Sequence, residues 1–154
     1  MALEPGSTIG ILGGGQLARM LSVAAGRLGL KTHVFDPDPN APAGQLCQAL
    51  TTAGYDDAEA LAGFARAVDV VTYEFENIPT AALDAIEAIR PIHPNREALR
   101  VSQDRLTEKR FLADLGLSTA PFAAVDDAQT LEAALETVGT PAILKTRRMG
   151  YDGK

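Results

Sequence analysis

The sequence predicts an α/β chain. Residues 1–100 form a doubly wound parallel-sheet, Rossmann-like domain, and a second region opens at residue 101. Three observations carry this. A short β-branched run, Thr8–Leu12, breaks on Gly13–Gly15 and passes into a helical pattern. Strand-like and helix-like segments then alternate, the signature of βαβ units with helices covering a parallel sheet. Near residue 100 the apolar segments give way to a charged stretch, "SQDRLTEKRFLADLG", which sets the boundary.

Each element has its own warrant. Leu17, Met20, Leu21, Ala24 and Leu28 recur at offsets of three and four, which predicts that this stripe of the first helix faces the core, with Gly29 closing the helix. Lys31–Phe35 alternates as a strand, and "DPDPNAPAG" is a proline-rich loop. Leu46–Leu50 reads as a short strand, and Asp56–Ala67 as a helix whose early acids suit its dipole. Val68–Glu76 is the strongest strand, Pro79–Ile89 a helix opened by proline, and Pro91–Pro94 a short extended piece. The order is β-α-β-β-α-β. Beyond the boundary, Ser102–Gly116 is a helix with Leu106, Phe111, Leu112 and Leu115 inward. "APFAAV" follows as a strand, "DAQTLEAALETVG" as a helix and "PAILKTRR" as a strand, its apolar residues seating the stem of Lys145 in the core.

Composition narrows the partners. The chain of 154 residues carries 14 Lys and Arg against 20 Asp and Glu, a net charge of −6. An acidic chain without a broad basic stripe argues against nucleic acid as the main partner. The single cysteine, Cys47, excludes an internal disulfide and fits a reducing compartment. No apolar run is long enough to cross a bilayer and no secretory leader is evident, so the expectation is a cytoplasmic protein with no membrane partner.

Four motifs carry chemistry. Gly13, Gly15 and Ala18 fit G-x-G-x-x-[G/A] between a strand and a helix, and Asp36 ends the next strand. Such a turn lets a helix N-terminus approach an anion, as in a dinucleotide site, or packs helix on strand. In "YEFEN", Glu74 and Glu76 lie two apart at a strand end. If the chain is still extended there, both point to one face, able to bind an amine or hydroxyls; a solvated acidic loop is the alternative. In "QDRLTEKRF", the like-charged i,i+4 pairs Asp104–Glu108 and Arg105–Lys109 are mutually unfavourable, a cost that Arg105 facing a phosphate would explain. In "KTRRMGYDGK", Lys145 and Arg147 share a strand face and precede a loop containing Gly150 and Gly153. A fixed ammonium beside mobile backbone amides suits polyphosphate, although no Walker A pattern is present; a basic surface hairpin is the plainer reading. His33 reads as structural, and neither His33 nor His93 has metal-ligand spacing; no metal ligand is assigned in this chain.

Read together and in this order, "GGGQLARM", "TYEFEN", "QDRLTEKRFL" and "ILKTRRMGYDGK" resemble the N-terminal part of the 5-(carboxyamino)imidazole ribonucleotide synthetases, which are ATP-grasp enzymes of purine biosynthesis. The resemblance covers essentially the whole chain. It implies a pre-ATP-grasp domain over 1–100 and the first part of an ATP-grasp α+β subdomain over 101–154. The implied reaction is ATP-dependent carboxylation of 5-aminoimidazole ribonucleotide by bicarbonate through carboxyphosphate, forming a C–N bond. By resemblance, Gln16, Leu17, Glu74 and Glu76 bind the ribonucleotide. Arg105, Lys145, Gly150, Tyr151, Asp152, Gly153 and Lys154 bind ATP, and Tyr151 and Asp152 also serve catalysis. Ala18 stands where many members have glycine. The family is longer, so the chain reads as a fragment ending inside the glycine-rich loop and inactive alone. Its magnesium ligands are expected further on, and a homodimer is expected at full length. The alternatives are another ATP-grasp ligase, such as a glycinamide ribonucleotide formyl-transferring enzyme, or a dinucleotide-binding Rossmann module.

Overall fold

The computed structural model describes residues 2–150. The chain divides into two compact units, one running to Leu99 and the other starting at Arg100.

In the first unit, four parallel strands form one sheet: β1 (Thr8–Leu12), β2 (Lys31–Asp36), β3 (Ala49–Thr52) and β4 (Val70–Tyr73), in the order β3-β2-β1-β4. Ile9 pairs with Thr32 on one side and Val70 on the other. The chain therefore builds outward from β1 in one direction, then returns to add β4 on its other side. That reversal leaves a crevice beyond the carboxyl ends of β1 and β4, where doubly wound sheets bind ligands. Ile92 extends the sheet by one parallel bridge to Val71, which is all the "PIHP" segment contributes.

Strand alternation sorts the core into two faces. Leu12, Phe35 and Val71 point towards α2 (Ala58–Arg66) and α3 (Ala82–Glu87), packing on Leu61, Phe64, Leu83 and Ile86. Ile11 and Val34 point the other way, towards Ala18 of α1 (Gln16–Arg27) and Ala43 of a 3-10 turn, Pro42–Gln45. Phe64 reaches the sheet because β1 carries Gly10, where an added Cβ would sit 2.7 Å from the ring's Cζ. Asp57 starts α2 by accepting the Ala60 N–H at 2.9 Å.

The buried face of α1 corrects the expected one. Leu17, Met20, Leu21 and Leu28 are between 44% and 69% exposed, and Ala24 is exposed; Ala18, Ser22 and Ala25 are buried instead. Small side chains bring the helix close to the sheet, where Thr32 donates to the Ser22 hydroxyl at 3.0 Å and Ser22 donates to the Ala18 carbonyl at 3.0 Å. The third strand lies three residues later than expected, at Ala49–Thr52, because Pro42–Gln45 and the residues after it coil under α1. A helix not anticipated, α4 (Arg96–Ser102), follows the Asn95 side chain, which accepts the Ala98 N–H at 3.0 Å.

The second unit contains α5 (Arg105–Asp114) and α6 (Ala128–Val138). Asp127 and Thr130 close a reciprocal capping box at the start of α6. Of the residues expected inward on α5, only Leu106 is buried; Phe111 is 43% and Leu115 60% exposed. Neither "APFAAV" nor "PAILKTRR" forms a strand, because no other described segment pairs with either. Ile143 is accordingly 82% exposed, and the Lys145 stem is exposed too, not seated in a core.

Candidate functional site

The crevice of the first unit is built around the glycine turn. Gly13 has φ +94, a conformation glycine adopts without strain, and its N–H reaches back to the Phe35 carbonyl at 2.9 Å. Gly14 donates to Asp36 Oδ2 at 2.7 Å, while Asp36 Oδ1 accepts from Asp38 N–H at 2.8 Å. Asp36, at the end of β2, thus braces the turn.

Glu74 sits on the same turn from the other side. β4 ends at Tyr73, and the Glu74 and Phe75 N–H groups both turn back to the Leu12 carbonyl, at 2.8 and 3.3 Å. The chain is therefore no longer extended at Glu74, and the same-face argument for Glu74 and Glu76 fails. Glu76 is exposed in the following turn, whereas Glu74 folds over the glycines. A Cβ added at Gly13 would lie 2.8 Å from Glu74 Oε2, and one at Gly15 would lie 2.9 Å from Oε1. Glu74 thus occupies space that a side chain at Gly13 or Gly15 would enter. Burial pushes the Glu74 carboxyl above the usual range. The Leu17 N–H opposes this, the Asp36 charge adds to it, and the Gly15 N–H opposes it again. Gln16 and Leu17, exposed at the first turn of α1, stand beside this group.

Tyr55 completes the crevice and was not picked out from the sequence. Its ring stacks on Phe75 with centroids 6.3 Å apart and lies 5.7 Å from Phe35. Burial raises its phenol well above the ordinary value, reinforced by the charges of Asp36 and Glu74, and the Gly13 N–H opposes the rise. The signal available was its place, just past β3 at the same end of the sheet as Asp36 and Glu74.

The second unit holds a separate constellation. Asp104 accepts the Leu106 and Thr107 N–H groups, each at 3.0 Å, and pairs with Arg147 at 2.8 Å. Partial desolvation works against its charge, but the Thr107 N–H, the Arg147 guanidinium and the Leu106 N–H outweigh it and hold the carboxyl below the usual range. Arg105 donates to the Thr146 carbonyl at 3.1 Å and to the Gly150 carbonyl, and its own N–H reaches the Arg147 carbonyl at 3.0 Å. Arg148 donates to Gln103 at 2.9 Å. The like-charge cost expected on α5 is thus met locally: Asp104 is the helix cap, and Arg105 is turned onto backbone carbonyls. Residues 146–150 are fastened to the start of α5, with Met149 in the left-handed region at φ +60. Lys145 is exposed beside them, and Tyr151, Asp152, Gly153 and Lys154 lie outside the described residues.

Among the described residues no cluster of His, Cys, Asp or Glu could hold a metal ion, and no helix is long and apolar enough to cross a membrane. Burial lowers the His33 ring's pKa, and its ring packs edge-on against Phe64 while bonding Thr51 at 2.8 Å, a structural role.

Comparison with known proteins agrees along the whole chain. The profile of the ribonucleotide synthetase preATP-grasp domain matches residues 6–103, and that of the ATP-grasp domain matches residues 110–154. An N5-carboxyaminoimidazole ribonucleotide synthase of Brucella melitensis is 52% identical over 99% of this chain and 42% of its own length. A Staphylococcus aureus N5-carboxyaminoimidazole synthetase structure with ADP superposes at a TM-score of 0.90 and 41% identity, covering 99% of this chain and 41% of that one. An Aspergillus clavatus N5-carboxyaminoimidazole synthase in complex with ADP and 5-aminoimidazole ribonucleotide reaches 0.77 at 32% identity, covering 89% and 37%. The chain spans about two fifths of the length of the N5-carboxyaminoimidazole ribonucleotide synthases it matches. With a four-stranded parallel α/β domain matched from residue 6 to 103, the chain belongs to the ribonucleotide synthetase preATP-grasp family.

Proposed function

We propose that this chain is the ribonucleotide-facing domain and the first phosphate-binding segment of a ligase that carboxylates 5-aminoimidazole ribonucleotide at the expense of ATP. The single observation behind it is the 52% identity to an N5-carboxyaminoimidazole ribonucleotide synthase over 99% of the chain. Residues 1–100 supply the ribonucleotide side, with Gln16, Leu17 and Glu74 at the glycine turn and Glu76 in the turn after β4. Residues 101–154 open the ATP side, with Arg105, Lys145 and Gly150–Lys154 toward the phosphates and Tyr151 and Asp152 serving catalysis.

In the proposed reaction a bicarbonate oxygen attacks the γ-phosphorus of ATP, giving carboxyphosphate and ADP. Carboxyphosphate breaks into phosphate and carbon dioxide. The exocyclic amine of the ribonucleotide then attacks the carbon, a C–N bond forms, and the amine loses a proton. Arg105 and Lys145 would offset the charge that develops on the transferred phosphoryl group. Magnesium would accompany ATP, but no described residue is assigned to it. A homodimer and a cytoplasmic setting belong to the same reading.

The test uses the full-length ligase carrying this chain. ADP release should require both 5-aminoimidazole ribonucleotide and bicarbonate, and oxygen-18 from bicarbonate should appear in phosphate. Equal turnover with glycinamide ribonucleotide and formate would assign the chain to a different ligase. The 154-residue chain alone should release no ADP.

A further inference from the structure

Resting on the assignment of Arg105 and Lys145 to ATP, we propose that Asp104 and Arg147 form a charge-sorting clasp: Arg147 holds the Asp104 carboxylate away from Arg105, whose own charge is then left for the phosphates. The two Asp104 oxygens divide the work. Oδ1 accepts the Leu106 and Thr107 N–H groups, each at 3.0 Å, and so caps α5. Oδ2 takes Arg147 in a two-pronged contact, from Nε at 3.0 Å and from Nη2 at 2.8 Å. The Asp104 side chain is 15% exposed against 52% for Arg147, so the carboxylate is the less hydrated of the two charges and depends more on a partner.

Arg105 is the cation this arrangement spares. Its N–H bonds the Arg147 carbonyl at 3.0 Å, and its guanidinium bonds the Thr146 carbonyl at 3.1 Å and the Gly150 carbonyl. The turn closes tightly on it: a Cβ at Gly150 would lie 3.3 Å from Arg105 Nη1 and 2.5 Å from Thr146 Oγ1. Carbonyls are neutral acceptors. They fix the direction of a guanidinium without cancelling its charge, whereas a carboxylate does both. With Arg147 removed, Oδ2 loses its cation, and Arg105, next in the chain and bonded to the same turn, is placed to take it up. A polyphosphate would then compete with an internal carboxylate for Arg105. Arg147 and Asp104 are thus positioning residues for Arg105.

Two measurements test this. In the 154-residue chain, the Arg147 Nε–Hε resonance should be slow to exchange, and that protection should be lost in Asp104→Asn. The Leu106 and Thr107 amides should stay protected there, because asparagine caps a helix as well as aspartate does. Protection of Arg147 that survives Asp104→Asn would overturn the pairing. In the full-length protein, calorimetry with ATP alone, without bicarbonate or ribonucleotide, reads binding and not turnover. Arg148→Met is the reference, since it removes one charge and one bond of the same turn, that to Gln103. Arg147→Met should weaken ATP about fivefold more than Arg148→Met does, the size of one partly exposed ion pair. In an Asp104→Asn background, where the competing carboxylate is gone, that excess should vanish. An excess that persists there would mean that Arg147 acts on the nucleotide itself, and no excess in the parent protein would mean that Asp104 does not reach Arg105. Either result overturns the clasp and leaves the assignment of Arg105 and Lys145 standing. Failure of the parent protein to bind ATP would overturn that assignment, and the clasp with it.

Discussion

A carboxylate half out of water costs the folded chain unless its partners outweigh the lost hydration, and at Glu74 burial wins over the two N–H groups. The sign follows from proton linkage. The folded-state value is raised above the ordinary 4.5, so the native chain holds the proton more tightly in the window just above that value. Stability contributed at this site falls as pH rises through the window, and the penalty is absent below it. Glu74→Gln should therefore be at least as stable as the wild type at neutral pH, with the difference closing below pH 4.5; urea midpoints across that range decide it. Under the proposed function, the same variant of the full-length protein should raise KM for the ribonucleotide. The glycines give a second contrast at this scale. Gly13→Ala meets φ +94 and the Phe75 backbone nitrogen at 2.9 Å, neither of which can give way. It should cost about 2 kcal/mol or more. Gly15→Ala meets only the movable end of Glu74, so it should cost under about 1 kcal/mol while displacing the carboxylate. Equal losses in denaturant titrations would show that the turn does not distinguish them.

At the scale of elements, α1 shows what a sequence conveys and what it hides. Its existence and position follow from the glycine turn and the 3.6-residue period, but the period favours the large apolar stripe, and the sheet takes the small one. Only contact with β2 decides this: Thr32 and Ser22 form a buried hydrogen-bonded pair that a bulky leucine face could not approach. Ser22→Ala should leave the Thr32 hydroxyl buried without its acceptor and cost about 1–3 kcal/mol, whereas adding Thr32→Val should recover most of the loss. A double variant no more stable than Ser22→Ala, by thermal unfolding, would mean that the pair does not fasten helix to sheet. The candidate site was legible to the same degree. Gln16, Leu17 and Glu74 were named from motif and resemblance. The seat of Glu74 on the turn was not, because it depends on β4 ending at Tyr73, three residues earlier than the apolar run indicates. Tyr55 was hidden because its neighbours Asp36 and Glu74 are brought to it by the sheet and not by the sequence.

Across the whole molecule, local order follows where backbone hydrogen bonds are closed. The first unit pairs four strands in one ladder and buries Leu12, Phe35, Phe64, Ile78, Leu83 and Ile86 almost completely. In the second unit the apolar segments "APFAAV" and "PAILKTRR" have strand composition but no partner among the described residues, and Ile143 and Leu144 lie 82% and 68% exposed. An unpaired extended segment closes no ladder, so its amides open to solvent at little free-energy cost, whereas amides within a packed sheet open only with larger unfolding. Hydrogen exchange of the 154-residue chain should therefore separate into classes. Amides of β1, β2 and β4 should be slowest and those of α6 intermediate, held by the Asp127–Thr130 capping box. Residues 120–125 and 141–145 should exchange almost as fast as free peptide. Ser substitution at Ile143 or Leu144 should then leave the urea midpoint of the first unit unchanged, while Phe64→Ala should lower its stability by about 3–5 kcal/mol. Protection at 141–145 comparable to β1 would mean that this segment has found a strand partner, such as a second copy of the chain. In that case its exchange would quicken on dilution, and the Ile143→Ser change would lower stability after all.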